Sequence, residues 1–280
     1  MTIRRRVANL LTGGVSPALT ARVGSAYLSA LHRTRCRVRY VDGEWIHRYP
    51  SGTVVNTYLC PITPEQQDRE AEDYSLHDYR IQPGDTVVDC GAGVGGEVRL
   101  FSRLVGPSGK VVAIEAHPRT FGCLRRSIQL NGLTNVVPVE CALVEEPGTV
   151  HLDDDQEGHI SNGLTTDLAH SVAVTGRTLE ELFTSLGIER VDLLKMNIEG
   201  AELPALRGAS GALKRVRRLV VSCHDFRADR PGCEWQRTFK EVVELLQEAG
   251  YTIKTRPDDP RPWVPYYVYA TRPPVAGWMP

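Results

Sequence analysis

From Ile81 onward, short β-branched runs alternate with amphipathic segments, and no other feature constrains the fold as strongly. Strands are expected at 86–90, 110–115, 136–141, 191–196, 218–223 and 251–255. Helices are expected at 97–105, 118–131, 179–186 and 235–249. Strands feeding helices in this order predict a parallel, doubly wound α/β sheet. Right-handed crossovers then put a ligand crevice at the carboxyl ends of the strands. A run at 266–271, close behind 251–255, is expected as an antiparallel last strand. Upstream, apolar residues at helical steps predict a helix over 16–34. The alternating segment 36–58 reads as a hairpin turning at Asp42-Gly43, and Thr63-Pro64-Glu65 opens a further helix running to about 79. Residues 1–80 are therefore expected to be a cover that does not fold independently, over a domain spanning 81–280.

Composition enters through charge. Residues 1–41 hold eight arginines (Arg4, Arg5, Arg6, Arg22, Arg33, Arg35, Arg37, Arg39) and no Asp or Glu. With a formal charge of −1 for the whole chain, the other residues carry −9. The near-neutral total argues against a general nucleic-acid binder, which is usually basic. No run is long and apolar enough to span a bilayer, which takes about 20 residues. The seven scattered cysteines form no CxxC pair and no dense framework. They are expected to be reduced, in a cytoplasmic protein.

The first strand of the alternating region ends in Asp89-Cys90-Gly91-Ala92-Gly93-Val94-Gly95-Gly96 and opens a helix. Glycines there let a backbone approach a ligand, and the helix start offers free N–H groups. Glu115 ends the next strand, placed to accept hydrogen bonds from ribose hydroxyls. Gly91, Gly93 and Gly96 also satisfy G-x-G-x-x-G, so a nicotinamide-dependent oxidoreductase is an alternative. Asp89 disfavours it, because a carboxylate would repel a pyrophosphate and attract a cationic cofactor.

The block "IQPGDTVVDCGAGVGGEVRLFSRLVGPSGKVVAIEAHPRTFGCLRRSIQLNGLTNV" resembles the core of S-adenosylmethionine-dependent class I methyltransferases of the FkbM type. "GRTLEELFTSLGIERVDLLKMNIEGAELPALRGA" resembles that family's second signature, and "VVSCHDF" its next strand. The resemblance spans about residues 80–255. It implies a Rossmann-like three-layer α/β/α sheet of seven mostly parallel strands, with residues 1–80 as an added helix and hairpin cover. It also implies methyl transfer, mostly to hydroxyls of small molecules such as sugars, polyketides and lipids, hence natural product biosynthesis. Carried over by position, Asp89, Gly91, Ala92 and Gly93 would flank the methionine part of S-adenosylmethionine, with Glu97 at the start of the following helix. Glu115 would hold the ribose, Ala116 and His117 would lie beside the adenosine, and Cys141 and Ala142 by the adenine. One position departs from the family pattern: Asn197 stands in "KMNIEG" where an Asp is usual. Asn still accepts a hydrogen bond from an ammonium but lacks the charge.

Transfer to an alcohol requires alignment of the nucleophile and removal of its proton. The chemistry-bearing residues after the fourth and fifth strands are Lys195, Asn197, Glu199, Glu202, His224 and Asp225. His224 is the expected base because imidazole titrates near neutrality. Asp225 and Asn197 complete the expected catalytic group. A divalent cation such as Mg2+ is a second expectation, with Glu199, His224 and Asp225 as candidate ligands. The cluster Asp153, Asp154, Asp155, Glu157 and His159 matches no ligand loop and reads as a solvated loop. Trp235, Trp263, Tyr266 and Tyr267 fit either an acceptor pocket or the core. The exocyclic-amine motif of nucleic-acid methyltransferases is absent after the fourth strand. A small-molecule hydroxyl acceptor is thus preferred over a macromolecule or a non-catalytic cofactor-binding scaffold. A homo-oligomer is one expected use of the arginine-rich front.

Overall fold

A computed structural model describes residues 16–154, 163–165 and 168–273. Arg4, Arg5, Arg6, Asp155, Glu157 and His159, singled out above, lie outside the described residues.

The cover begins with α1 (Pro17–His32), whose N-cap Ser16 accepts from the Leu19 amide. Its buried side, including Ala21 and Leu28, packs with Val38, Trp45 and Tyr49. Segment 36–58 is a three-stranded antiparallel meander rather than one hairpin: β1 (Arg37–Val41), β2 (Glu44–Tyr49) and β3 (Gly52–Asn56). The first turn is at Asp42-Gly43 as expected, both residues having positive φ. The second turn, at Pro50-Ser51, has the weaker signal. Helix α2 (Pro64–Tyr74) starts with a capping box between Thr63 and Gln66.

The core domain has one seven-stranded sheet. Its strands are β4 (Thr86–Cys90), β5 (Lys110–Glu115), β6 (Val136–Glu140), β10 (Leu193–Met196), β11 (Arg218–Ser222), β12 (Thr252–Lys254) and β13 (Tyr267–Thr271), in the order β12-β13-β11-β10-β4-β5-β6. All neighbours are parallel except β13, which runs antiparallel to both β11 and β12. Helices α3 (Val98–Val105), α4 (Pro118–Leu130), α5 (Leu179–Ser185), α6 (Glu202–Arg207) and α7 (Phe239–Glu248) lie between strands in sequence. Two apolar clusters sandwich the sheet, one containing Val88, Ile114, Leu194 and Val221, the other Val87, Val111, Leu193 and Val220. Neighbouring residues of one strand thus feed opposite layers, as a sheet buried on both faces requires. This is a three-layer, Rossmann-like α/β/α architecture.

A second small sheet is absent from the sequence expectations. Strand β8 (Gly148–Asp153) pairs antiparallel with β9 (Ser171–Arg177), and β7 (Ala142–Leu143) joins β9 in parallel. Val150, Leu152, Val172 and Val174 alternate toward a cluster with Ala142 and Val144. All seven cysteines are free, and six are buried. Among the described residues no helix is long and apolar enough to cross a membrane.

Candidate active site

The chain leaves β4 toward β5 and β6 on one side and reaches β10 and β11 on the other. The carboxyl ends of β4 and β10, where Cys90 stands opposite Met196, therefore open a crevice. A cleft of about 270 Å3 occupies it. Its walls come from the glycine loop, from Glu115 and Ala116 after β5, from Cys141 to Leu143 and from Asn197 to Glu199.

Gly91 has φ of 77° and lies against the β10 loop; a Cβ there would stand 2.0 Å from the Asn197 carbonyl oxygen. Only glycine allows that approach. Gly93 has φ of 56° and faces open space, and its amide donates to Glu115 Oε2 at 2.9 Å. The other Glu115 oxygen accepts from the His117 amide at 2.9 Å. Burial pushes the Glu115 carboxyl up, and these two amides oppose that rise.

Asp89 lies differently from its expected place. It is fully buried and does not line the cleft. Lys195, its register partner on β10, sets Nζ 2.9 Å from Asp89 Oδ1 and 3.1 Å from Glu97 Oε2, and donates to the Gly91 carbonyl at 2.9 Å. Burial pushes the Asp89 carboxyl up to about 6, with Lys195 opposing. Burial would lower the Lys195 ammonium, but Asp89 and then Glu97 more than offset it and raise it. The charge expected to attract a cationic cofactor is thus met inside the protein. What the pair does is hold the glycine loop through the Gly91 carbonyl. Glu97 lines the cleft and accepts from the Ser75 hydroxyl of the cover at 2.6 Å.

His224 is 2% exposed and lies behind the cleft. Its Nδ1 stands 3.1 Å from Glu202 Oε1 and its Nε2 3.5 Å from Glu199 Oε1. Burial alone would lower its pKa; Glu202 and Glu199 overcome that and raise it to about 9. His224 is therefore poorly placed to act as the expected base: it is buried outside the cleft lining, against two carboxylates that favour its protonated form. Asp225 also turns away, accepting from the Thr238 and Phe239 amides at 3.1 and 3.0 Å at the start of α7. Of the candidate metal ligands, Glu199 and His224 adjoin while Asp225 is engaged elsewhere, and among the described residues no group of three or more His, Cys, Asp or Glu is arranged to hold an ion.

Glu199 is what the fold presents instead. It lines the cleft with φ of 59°, an uncommon backbone state for a residue with a side chain. Arg227 forms an ion pair with its Oε2. Burial would raise its carboxyl, but His224 and Arg227 reverse this and hold it below the usual range. Asn197 lines the same cleft, with Oδ1 buried and without a partner. An acceptor left unpaired costs about 1–3 kcal/mol unless a ligand donor meets it.

Ala92, Ala116, Cys141 and Ala142 line the cleft, whereas the His117 side chain lies outside its lining and meets Asp154 at 3.3 Å. Leu152 of the small sheet and Leu164, bridged to it, form a wall that the sequence expectations missed. The alternation at 148–153 and 172–174 carries the signal for it. Trp235 sits against Gly200 near Gly163 of the cleft and stays 46% exposed, while Tyr267 belongs to the core.

These residues fit S-adenosylmethionine. The orphaned Asn197 Oδ1 suits the ammonium, and the open Gly93 gives room beside it. Glu115, fixed by two amides, suits a ribose, and the apolar Cys141–Ala142 end suits the adenine.

The Methyltransferase FkbM domain model matches residues 89–253. The 31-O-demethyl-FK506 methyltransferase FkbM of Streptomyces tacrolimicus is 27% identical over 217 residues, covering 66% of this chain and 79% of its own. Methyltransferase 1 of Beauveria bassiana is 26% identical over 215 residues, covering 68% and 80%. The Aeropyrum pernix fibrillarin structure with natively bound S-adenosyl-L-methionine aligns with a TM-score of 0.45 at 13% identity, covering 85% of this chain and all of that one. With more than half of its length matched, the chain belongs to the FkbM family of S-adenosylmethionine-dependent methyltransferases.

Proposed function

We propose that the chain methylates a hydroxyl of a small molecule (a natural product, sugar or lipid) and that Glu199 accepts the hydroxyl proton. The observation that carries this is the state of Glu199. Three carboxylates line the cleft among the described residues. Glu97 is tied to Lys195 and Ser75, and Glu115 to two backbone amides. Glu199 is held by Arg227 and His224, which keep its carboxyl below the usual range beside Asn197.

S-adenosylmethionine, when bound, supplies an activated methyl group on a sulfonium whose departure needs no acid. The protein's part is to align the hydroxyl and accept its proton. Asn197, Glu115 and the glycine loop would hold the cofactor. Lys195, from beneath, fixes the loop carbonyl at Gly91. His224 and Arg227 keep Glu199 in place and charged. The aliphatic wall of Leu152 and Leu164 excludes water. Relatives in the family include a protein whose name places its methyl group on an oxygen, which supports the same atom here.

Glu199→Gln keeps shape and removes the proton acceptor. Turnover should fall roughly 100-fold or more, with little change in affinity for S-adenosylhomocysteine by calorimetry. A mass-shift screen pairing hydroxylated metabolites with their amine counterparts identifies the acceptor atom. Unchanged turnover in the variant refutes the role of Glu199; methylation confined to amines refutes the hydroxyl acceptor.

A further inference from the structure

The methyltransferase reading leaves the arginine-rich front unused. In the structure, Arg22 from α1 and Arg37 and Arg39 from β1 line one groove of about 420 Å3, together with Ala21, Val38 and Tyr40. No carboxylate lines it. All three arginines are exposed, and none has an ion-pair partner among the described residues. Arg37 also stands opposite Arg48 in the β1–β2 register, and Arg48 is exposed too. Like charges facing across a strand pair are destabilising, so the fold itself draws no benefit from them. Beside the groove the outer side of α1 carries Leu19 at 52% and Val23 at 41% exposure, and Tyr40 is 41% exposed. No acidic residue occurs in the first or last turn of α1. The rest of the chain carries a net −9.

Unopposed arginines around exposed aliphatic and aromatic side chains are the signature of an element lying in a charged lipid interface. A nucleic acid would use the charges but leave Leu19 and Val23 without a role. We propose that this face docks on an anionic lipid surface. The arginines meet headgroup phosphates, and Leu19, Val23 and Tyr40 enter the boundary of the acyl region. The acidic remainder of the molecule is repelled from the same surface, which fixes the orientation. The inference is independent of the proposed reaction.

The test is co-sedimentation of the full chain with vesicles of pure phosphatidylcholine and of phosphatidylcholine mixed with phosphatidylglycerol. Binding is expected only to the mixed vesicles, weakening as salt rises. Neutralising Arg22, Arg37 and Arg39 together to Gln should lower the partition coefficient roughly 100-fold. Leu19→Ser with Val23→Ser should lower it as well. Both variants change exposed residues, so S-adenosylhomocysteine affinity should stay at the parent value and the thermal midpoint should not fall below it. Binding to both vesicle types alike, no binding to either, or unchanged binding in the arginine variant would each overturn the proposal. So would arginine variants that lose self-association or nucleic-acid binding while vesicle binding is unaltered or absent.

Discussion

At the scale of single residues, the site turns on partners that lie far apart in sequence. His224 lies behind the cleft, and its protonation is governed by Glu199, in the loop after β10, and by Glu202, the first residue of α6. This gives a pH prediction with a definite sign. The folded state binds the His224 proton more tightly than the unfolded chain, with a pKa near 9 against 6.5. The stability it contributes is complete below pH 6.5 and is lost as pH rises through about 9. Thermal midpoints measured from pH 6 to 10 should fall in that window, and His224→Gln should flatten the fall. A variant with the same slope as the parent would show that the imidazolium is not held as described. Asp89 teaches the same lesson. Its position in the loop motif is legible, but Lys195 meets it only because β4 and β10 pair in register. A charge read from sequence as facing a ligand can be answered by a neighbour on the next strand.

At the scale of elements, the parallel sheet was legible because its strands are short apolar runs, β-branched except in β10, bounded by turn residues. The helices were legible from their apolar spacing. The antiparallel β13 was legible from the short connection behind β12. The small β7–β9–β8 sheet was not, because its two longer strands flank an acidic, glycine-containing segment that dominates a linear reading. The meander was half legible: Asp42-Gly43 marks its first turn, while the second has no comparable pair. Within the meander, His47 carries a second pH dependence, opposite in sign to that of His224. It is fully buried, donating from Nδ1 toward the Val54 carbonyl while Nε2 accepts from the Cys60 amide at 3.0 Å. Burial, outweighing the backbone contacts, lowers its pKa from 6.5 to about 4. A proton on Nε2 would face another N–H. The cover's stability should therefore be intact above pH 6.5 and decline as pH falls toward 4. Hydrogen exchange of the amides in β2 and β3, followed through that interval, should accelerate relative to β4 and β5. Uniform protection across the two sheets would count against it.

At the scale of the whole molecule, the cover and the catalytic core are joined where the cofactor loop begins. Ile46 and Val55 of the meander pack with Val94 and Cys123, and Val94 also lines the cleft. Asn131, just after α4, reproduces a strand's pairing with the cover: its Oδ1 accepts from the Thr53 amide at 2.8 Å and its Nδ2 donates to the Thr53 carbonyl at 2.9 Å. Arg99 of α3 donates to the Pro64 carbonyl at 2.7 Å. These bonds tie α2 and β3 of the cover to the two helices flanking the glycine loop. Loosening the cover should therefore be felt at the cofactor. Asn131→Ala removes both bonds to Thr53 and leaves two backbone groups unpaired, which should cost about 1–3 kcal/mol of stability. It should also weaken S-adenosylhomocysteine binding, although Asn131 does not line the cleft. Thermal melts and calorimetry on the same variant decide the matter. Lower stability with undiminished affinity would mean that the cover is a separate lid over an autonomous core. A loss in both would mean that the cover is part of the cofactor site's foundation, so that the two regions divided along the sequence near residue 80 unfold as one cooperative unit.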